Sequence, residues 1–430
     1  CAPLILDKVM SGGDLAAKWI DKGLPSSDSV TDSEDHASQT TEVTGKARYF
    51  QRISEFFNDP TSIPLPRLTE RQLAEVANYL VALSLGSPAV CYLRTQQRQS
   101  AGITLEMMDG AFEVASGFVT TFNKPESVAI VRLCTSSKTA GSHLDRILEY
   151  SISGNLQALL DEYFYLIREQ EGLTSLRDVA SHISDVLTIR ASTAKVDDAS
   201  TILKAALPNS VGRARFLRTH FAVDFAGQKL STAKTSGRQI NIRQAFNSPF
   251  RPFVLATTSI GQEGLDFHLY CRKIFHWNLP ANAIDIEQRE GRINRYKGLV
   301  IRQNLVKKYS NSLALAGNET AWTEIFRVAE EKEGKVQGVC EMVPFWHTEP
   351  EDHESEDQIR IERYVPLYSF SRDIEKYKDL QRILAYYRIT FGQPRQEELI
   401  LALADKVEDQ SYEAIRDLLI DLSPIRFRHV

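Results

Sequence analysis

With 430 residues, the chain is long enough for two to three domains, because most domains span roughly 100–200 residues. Its 43% hydrophobic and 25% charged residues match an ordinary soluble globular protein. No apolar run approaches the ~18 residues that a membrane-spanning helix needs, and the N-terminus does not look like a signal peptide. We therefore expect a cytoplasmic protein without a membrane partner.

The cysteines are widely separated and form no Cys-x-x-Cys pair. They stand at Cys1, Cys91, Cys134, Cys271 and Cys340. This spacing argues against a structural zinc site and fits a reducing cytoplasm. Two histidines, His347 and His353, lie in the acidic run from Trp346 to Asp357. We expect a solvated loop there, and a metal site is the lesser alternative.

The net charge of −5 conceals a strong asymmetry along the chain. Residues 206–310 contain 17 Lys and Arg against 6 Asp and Glu, a net charge of +11, whereas the remainder contains 34 against 50. Such segregation is typical of a protein that binds a polyanion. The alternative is that the charges are scattered over a solvated surface. We favour the polyanion because the motifs described below fall in the same segment.

The N-terminal half is predicted to be mostly helical. Residues 21–46 are rich in Ser, Thr, Asp and Glu, and we expect a loop or a disordered linker there. Thr69 and Gln72 then form a capping-box pattern ahead of an apolar stripe, and Gly86 closes that helix. Further helices are predicted at residues 142–152, 155–170 and 175–188, and one strand at 128–133. We assign residues 1–205 to a mostly helical accessory region.

The pattern changes near residue 213, where strands begin to alternate with helices. Predicted strands cover residues 220–225, 253–257 and 273–277, and predicted helices cover 239–246 and 284–294. This alternation indicates an α/β domain with a parallel sheet, in which functional residues follow the C-terminal ends of the strands. We place this domain at residues 206–310. The helical extension that follows, residues 311–430, has helical patterns at 322–329, 374–387, 395–406 and 411–421.

The most informative segment runs from Gln288 to Arg295 and reads Gln-Arg-Glu-Gly-Arg-Ile-Asn-Arg. On a helix, Arg292 and Arg295 would share one face because they are three positions apart. Arginine keeps its charge and its planar guanidinium matches phosphate oxygens, so the pair suits the negative charge that develops during phosphoryl transfer. Gly291 would let this helix approach a neighbouring domain closely. A lone Arg-x-x-Arg would instead favour solvated arginines on a surface helix.

A second segment, Thr258 to Asp266, lies upstream and ends in Gly-Leu-Asp. Together the two segments resemble motifs V and VI of superfamily 2 helicases, on their second RecA-like domain. The resemblance covers residues 240–300, and residues 242–258 are also similar to Swi/Snf-type DNA translocases. More loosely, the chain resembles the C-terminal part of large bacterial DEAD/DEAH-box helicases, some of them from phage-defence loci. Gly-Gln-Glu-Gly-Leu-Asp departs from the commonest DEAD-box motif and leaves the subfamily open.

The resemblance implies roles for particular residues. Arg292 and Arg295 would be catalytic arginine fingers. The residues that would face ATP and the interdomain boundary are Gly264, Asp266, Gln288, Arg289 and Gly291. Thr258 and Ser259 would contact the nucleic acid. Basic candidates for phosphate-backbone contacts, whose binding salt would weaken, are Arg213, Arg215, Arg218, Lys297, Arg302, Lys307 and Lys308; each alone is better interpreted as a solvated charge.

The sequence contains no cradle for the phosphates of ATP. It has no Gly-x-x-x-x-Gly-Lys-Ser/Thr segment, and the nearest match, Thr44–Ala47, ends in a residue without a hydroxyl for magnesium. Leu159–Glu162 superficially resembles a magnesium-binding DExx box, but its apolar neighbours repeat at helical spacing. ATP with Mg²⁺ would therefore be held by a first RecA-like domain outside this chain. Because the chain begins at Cys1 rather than Met, we expect an excised part of a longer protein.

The sequence thus predicts the C-terminal motor half of an ATP-dependent nucleic-acid helicase or translocase that is inactive on its own. DNA is favoured over RNA as the track. The other partners would be the missing RecA-like domain and, in a phage-defence setting, components of that system. Two alternatives stay open: a non-catalytic module with a degenerate RecA-like fold that binds nucleic acid or a protein, and a duplex DNA translocase that never separates strands.

Overall fold

The computed structural model describes most of the middle of the chain. The described ranges are residues 68–98, 102–135, 141–189, 192–196, 215–219, 243–250, 252–257, 266–313, 320–335, 341–348, 359–366 and 371–390, with a few isolated positions. The chain divides into two compact units, Cys1–Thr188 and Ile189–Val430.

In its described part, the first unit consists of helices. They are α1 (Glu70–Gly86), α2 (Pro88–Gln97), α3 (Leu105–Phe122), α4 (Pro125–Cys134), α5 (His143–Ile152), α6 (Asn155–Gln170) and α7 (Leu176–Thr188). The predicted capping box begins α1: Thr69 Oγ1 accepts from the Gln72 backbone N–H at 3.3 Å, and the Gln72 side chain accepts from the Thr69 N–H at 3.0 Å. This helix start is confirmed, and so are the three helices predicted between residues 142 and 188.

Helices α3 and α7 approach closely because α3 lacks a side chain at their contact. A Cβ atom added at Gly117 would lie 2.9 Å from Cβ of Leu187, nearer than real side chains come. Around this approach α3 buries Val114 and Phe118, and α7 buries Val179, Ile183 and Leu187; on each helix these residues are four positions apart, the spacing of an amphipathic face.

The predicted strand at residues 128–133 is wrong, because these residues belong to α4. Pro125 stands in the first turn of that helix, where its missing N–H costs nothing. This helix start outweighs the β propensity of Val128 and Ile130. The helical interpretation of Leu159–Glu162 is confirmed: Asp161 lies on α6, where its carboxylate accepts hydrogen bonds from Thr95 at 2.6 Å and Gln157 at 2.9 Å.

In its described part, the second unit combines helices with small sheets. Strand β1 (Ser192–Val196) pairs antiparallel with β2 (Arg215–Thr219), and β3 (Lys273–Phe275) pairs in parallel with β4 (Glu362–Tyr364). The helices are α8 (Ala283–Gly291), α9 (Leu299–Tyr309), α10 (Ala321–Ala329) and α11 (Asp373–Ile389), with short helical turns at Ser310–Ser312 and Glu330–Gly334. The described residues are therefore mostly helical with a small parallel sheet, which bears out the α/β class in its coarse form.

Apolar clusters fix helix α8 and strand β3 in the second unit. On α8, Ala283 and Ile286 pack against Leu380 and Leu384 of α11. Beneath the sheet, Ile274 packs against a cluster made by Phe246, Phe267 and Ile293. These contacts hold the end of α8 beside the segment that begins at Asp266.

The predicted strand at residues 253–257 is also wrong. Residues 252–257 have no regular secondary structure, and the side chains of Phe253 and Val254 are 53% and 84% exposed. Leu255 alone of this run packs against the cluster beneath the sheet. A strand needs a hydrogen-bonded neighbour as well as apolar side chains, and none of the described strands pairs with these residues.

Other predictions are confirmed with shorter boundaries. The strand predicted at 273–277 covers Lys273–Phe275, the helix predicted at 284–294 covers Ala283–Gly291, and residues 243–246 of the helix predicted at 239–246 are helical. Helices α10 and α11 match the patterns at 322–329 and 374–387, whereas β4 was not predicted. Residues 21–46, 220–225 and 411–421 and most of 395–406 lie outside the described residues.

Within the described ranges, no single helix has both the length and the apolar character of a membrane span. Helices α1 and α2, which are bent by 42° relative to each other, have the length and composition of a membrane span only when they are taken together.

Candidate active site

Helix α8 carries the first half of the Gln288–Arg295 segment. The side-chain oxygen of Asn282 caps its start by accepting from the Ile284 N–H at 3.0 Å, which satisfies one of the free amides of the first turn. Its buried side packs on α11, so Gln288 is exposed on the opposite side and Arg289 is partly exposed. Arg289 donates from Nη1 to the backbone oxygen of Asn278 at 3.2 Å.

The prediction that Arg292 and Arg295 share one helix face is wrong. Helix α8 ends at Gly291, Arg292 is its C-terminal cap, and residues 292–294 form a turn. Within this turn, the N–H groups of Ile293 and Asn294 donate to the Glu290 carbonyl at 3.1 and 3.2 Å. The two arginines are brought together by this turn and by a shared acceptor rather than by helical periodicity.

Asp266 is that shared acceptor. Its Oδ1 accepts from Arg295 Nε at 3.1 Å and lies 4.0 Å from Arg292 Nη1. The backbones of the two segments are joined as well, because the Phe267 N–H donates to the Arg292 carbonyl at 2.8 Å. On the other side, Asn247 Nδ2 donates to the Asp266 carbonyl at 2.7 Å. The end of the Thr258–Asp266 segment and both arginines therefore form one cluster.

Arg292 has an unsatisfied donor in this cluster. Its side chain is 19% exposed, and its buried Nε has no hydrogen-bond partner among the described residues. A buried donor without an acceptor costs about 1–3 kcal/mol. Nε of Arg292 is therefore an orphaned donor among the described residues, and because the atom is buried, another acceptor could reach it only if the side chain moved.

His268 lies beside the arginine cluster and is held neutral. Burial is the main reason that the pKa of its imidazole is lowered to about 4; the negative charge of Asp266 opposes the shift, and the positive charges of Arg302, Arg295 and Arg243 support it. Neither ring nitrogen has a hydrogen-bond partner among the described residues. At neutral pH this residue adds no charge to the site, so the positive potential comes from the arginines.

Glu290 fixes α8 to the parallel sheet. Its two carboxylate oxygens accept from Arg363 Nε and Nη2, both at 2.5 Å, and Oε1 lies 3.2 Å from Nε2 of the buried His276. Burial would raise the pKa of Glu290, but the hydrogen bonds from His276 and Arg363 together lower it. Sequence reasoning missed this network, because Arg363 lies on the strand β4 that was not predicted.

Gly291 occupies open space. A Cβ atom at this position would meet no atom within 4 Å, and the backbone does not adopt the left-handed conformation that favours glycine. Packing within the described chain therefore does not require glycine here. The approach of another domain at this glycine stays a prediction.

Two of the basic residues considered as phosphate contacts are buried. Lys297 is 6% exposed, and its Nζ lies 4.5 Å from the ring centroid of Phe326 and near the rings of Tyr296 and Phe345. Arg302 is fully buried and donates to the Lys297 carbonyl at 2.8 Å and to the Leu269 carbonyl. Their role is internal, so the predicted phosphate contact is wrong for both.

Some of the other candidate contacts to phosphate or nucleic acid lie within the described residues, and some lie outside them. Lys307 is exposed, and Lys308 pairs with Glu333 at 2.7 Å. Arg215 and Arg218 lie on β2, opposite Val196 and Thr193 of β1, and only their backbones are described. Residues outside the described ranges are Arg213, Thr258, Ser259 and Gly264. Within those ranges, no three His, Cys, Asp or Glu side chains are grouped closely enough to hold a metal ion.

Comparison with known proteins adds no relative: no protein-family model, curated protein or solved structure matches this chain.

Proposed function

We propose that this chain is the C-terminal motor half of an ATP-dependent nucleic-acid helicase or translocase, with the second RecA-like domain near residues 206–310. The observation that carries the proposal is the cluster of Asp266 with Arg292 and Arg295. Asp266 ends the motif V-like segment, both arginines belong to the motif VI-like segment, and Arg295 hydrogen-bonds to Asp266 across 29 positions. A chance match of two short motifs would give no reason for this meeting.

The chemistry of the cluster suits a phosphate. ATP bound by another RecA-like domain would supply the γ-phosphate, the bond to be broken and the charge to be neutralised. Arg295 offers a guanidinium that is 38% exposed, and Arg292 lies beside it, with Nη1 4.0 Å from the same carboxylate oxygen. An arginine finger typically accelerates phosphoryl transfer by about 10³–10⁵. Asp266 holds both side chains in place before the partner domain closes.

The Asp266 pairing is exchangeable. The Asp266 and Arg295 side chains are 43% and 38% exposed, and ion pairs this accessible to water are worth only about 0–1 kcal/mol. A phosphate with more than one negative charge can therefore compete with Asp266 for the guanidinium groups. The basic balance of residues 206–310 supports the second part of the proposal, a nucleic-acid track, with DNA favoured.

The test is ATP turnover by the complete protein, including the domain that supplies the phosphate cradle. Arg295→Ala should abolish nucleic-acid-stimulated hydrolysis and spare ATP binding, while Arg382→Ala, on α11 and 4.0 Å from Asp379, should leave turnover unchanged. The chain alone should hydrolyse no ATP. Near-normal turnover by Arg295→Ala, or turnover by the chain alone, would overturn the proposal.

A second candidate function is a non-catalytic binding module. It is favoured by the absence of regular secondary structure at residues 253–257, where a complete RecA-like sheet would have a strand. Such a module would bind nucleic acid or protein with an affinity that does not depend on ATP. Measuring nucleic-acid affinity of the complete protein with and without a non-hydrolysable ATP analogue separates the two, since a motor changes its affinity with nucleotide state.

A further inference from the structure

The small parallel sheet exposes aromatic side chains on one of its faces. Along residues 273–277, exposed and inward positions alternate. Phe275 and Trp277 are 63% and 76% exposed, while Ile274 and His276 point inward. Tyr364 on β4 and Tyr368 beyond it are 38% and 46% exposed. We name Phe275, Trp277, Tyr364 and Tyr368 the aromatic face. Contiguous exposed apolar surface of this kind marks an interaction site.

In the first half of the aromatic face, the rings of Phe275 and Tyr364 already stack on each other. Phe275 lies opposite Tyr364 in the register of β3 and β4, and the two rings are parallel to within 8° with centroids 4.4 Å apart. The backbone holds this pair, because the His276 N–H donates to the Tyr364 carbonyl at 2.9 Å. A flat ring added to the exposed side of Phe275 would extend an existing stack without reorganising the protein.

The second half of the aromatic face borders a cavity. Trp277 and Tyr368 meet edge to face, with centroids 6.2 Å apart and planes at 70°. A cavity of about 500 Å³ opens between them and Asn278, Leu279, Pro366 and Asp373. Its aromatic walls and its amide and carboxylate groups suit a flat heterocycle that carries hydrogen-bonding edges.

The charges beside the aromatic face suit a polyanion. Arg272 and Lys273 both pair with Glu362, Lys273 at 3.0 Å, which leaves one positive charge at the Phe275 end of the aromatic face, while the carboxylate of Asp373 lies at the cavity end. The Lys273 side chain is 48% exposed and its Nζ lies 5.8 Å from the Tyr364 ring centroid. A backbone phosphate can approach this lysine while a base lies on the neighbouring rings.

We propose that the aromatic face binds single-stranded nucleic acid by stacking its bases on Phe275 and Trp277. Phe275 ends β3 and Trp277 lies two residues further on, in a bend, so successive bases of an extended single strand can lie on one ring each. Stacking on exposed aromatic side chains is how sequence-independent single-strand binders gain much of their affinity. In a duplex the base faces are covered by neighbouring bases, so a duplex cannot use this surface.

The inference deepens the proposed function, because it names the form of nucleic acid that the chain holds, but its test needs no ATP. The purified chain is titrated, without nucleotide, into a fluorescein-labelled thymidine oligonucleotide of about 16 nucleotides, the upper end of single-strand site sizes. Fluorescence anisotropy reports binding. The same titration with an abasic strand of equal length keeps the phosphates and removes the bases.

Trp277→Ala and Phe275→Ala should each weaken binding by about fivefold or more. A fivefold loss is the lower end of the loss of affinity expected when one base no longer stacks on an aromatic side chain. Both side chains are largely exposed, so the variants should keep the wild-type circular dichroism and melting temperature. Phe253→Ala, which removes an aromatic side chain that is 53% exposed and lies outside the aromatic face, should bind normally. Trp277→Phe should also bind, because phenylalanine retains a stacking surface.

Several results would overturn the inference. They are equal affinity for the abasic strand, equal affinity for a duplex of the same length, or normal binding by both alanine variants. Failure of the wild-type chain to bind the oligonucleotide would overturn it as well. Absence of ATP turnover in the complete protein would refute the motor and leave base stacking intact, so the two failures are distinguishable.

Discussion

Asp266 accepts a hydrogen bond from Arg295 at 3.1 Å and lies 4.0 Å from Arg292, so one carboxylate holds two guanidinium groups. Without it, the two positive charges would repel each other at the end of α8. Asp266 is itself fixed by its backbone, whose carbonyl accepts from Asn247 at 2.7 Å. The relationship makes Asp266 a positioning residue for the arginines.

Asp266→Asn should separate positioning from stability. Asparagine keeps the shape of the side chain but loses its charge, so the arginines lose their anchor. In the complete protein we expect ATP turnover to fall about 10- to 100-fold, the scale of a misplaced catalytic group. The free energy of unfolding of the chain should fall by no more than about 1 kcal/mol, since the ion pair is solvent-accessible. Turnover assays and urea unfolding measure the two quantities.

A matched control for that variant is Asp379→Asn, which removes a carboxylate 4.0 Å from Arg382 on α11. It should change neither turnover nor stability appreciably. A loss of stability above about 2 kcal/mol in Asp266→Asn would show that Asp266 holds the fold together and does not merely position the arginines.

Gly291→Ala should distinguish a local role of glycine from an interdomain one. The added methyl meets no atom within 4 Å, and alanine favours helix over glycine by up to about 1 kcal/mol, so the chain should be unchanged or slightly more stable. If another domain approaches the end of α8, ATP turnover of the complete protein should nevertheless fall. Thermal unfolding and turnover are the measurements.

The comparison for that variant is Gly298→Ala, whose Cβ would lie 3.0 Å from the Arg295 carbonyl oxygen. Because that neighbour is backbone, this variant should destabilise the chain. Unchanged turnover in Gly291→Ala would remove the argument that a partner domain packs against this glycine.

Local signals were sufficient for several of the described helices, although they indicated a strand at residues 128–133, which belong to α4. Thr69 with Gln72 and the apolar spacing between residues 142 and 188 are patterns within a few turns, and the structure has helices there. Strands depend on distant partners. Phe253 and Val254 have the residue types of a strand, but no local pattern shows that none of the described strands pairs with them. Nor does a local pattern show that Arg272 pairs with Glu362, 90 positions away.

For the site, the chemistry was accessible from the sequence and the geometry was not. Arg292, Arg295 and Asp266 were singled out by residue type and spacing, yet they meet through a turn at the end of α8 that helical periodicity did not predict. Lys297 and Arg302 were counted as surface charges. Their burial depends on aromatic rings and carbonyl oxygens from other segments, and composition carries no signal for these contacts.

Glu290→Gln should destabilise the second unit. It removes the charge from two 2.5 Å hydrogen bonds with Arg363 and from the contact with the buried His276. Hydrogen bonds to charged groups contribute about 1.5–3 kcal/mol each, so we expect a loss of about 2 kcal/mol. Tryptophan fluorescence during urea unfolding reports on this unit, which contains Trp277, Trp322 and Trp346 among the four tryptophans.

Glu287→Gln is the control for that measurement, because its carboxylate also pairs with an arginine, Arg388, at 2.5 Å, but with side chains that are 31% and 49% exposed. It should cost less than about 1 kcal/mol. Equal effects of the two variants would mean that Glu290 does not join α8 to the sheet more firmly than a surface ion pair.

His268 should make the second unit sensitive to mild acid. Burial lowers the pKa of His268 from 6.5 to about 4, so the folded chain keeps this imidazole neutral where the unfolded chain takes up a proton. As pH falls from 6.5 to 4, the unfolded state is therefore favoured progressively, and above pH 6.5 the contribution is constant. His268→Leu removes this proton uptake, so its urea midpoint, followed by tryptophan fluorescence, should fall less over that range.

Burial also lowers the pKa of His182 in the first unit, and His182→Leu should leave the tryptophan-monitored pH dependence unchanged. A wild-type slope in His268→Leu between pH 6.5 and about 5 would place the acid sensitivity elsewhere, because the lowered pKa values of Glu362 and Glu290 act only below about pH 5, where the unfolded carboxylates take up protons.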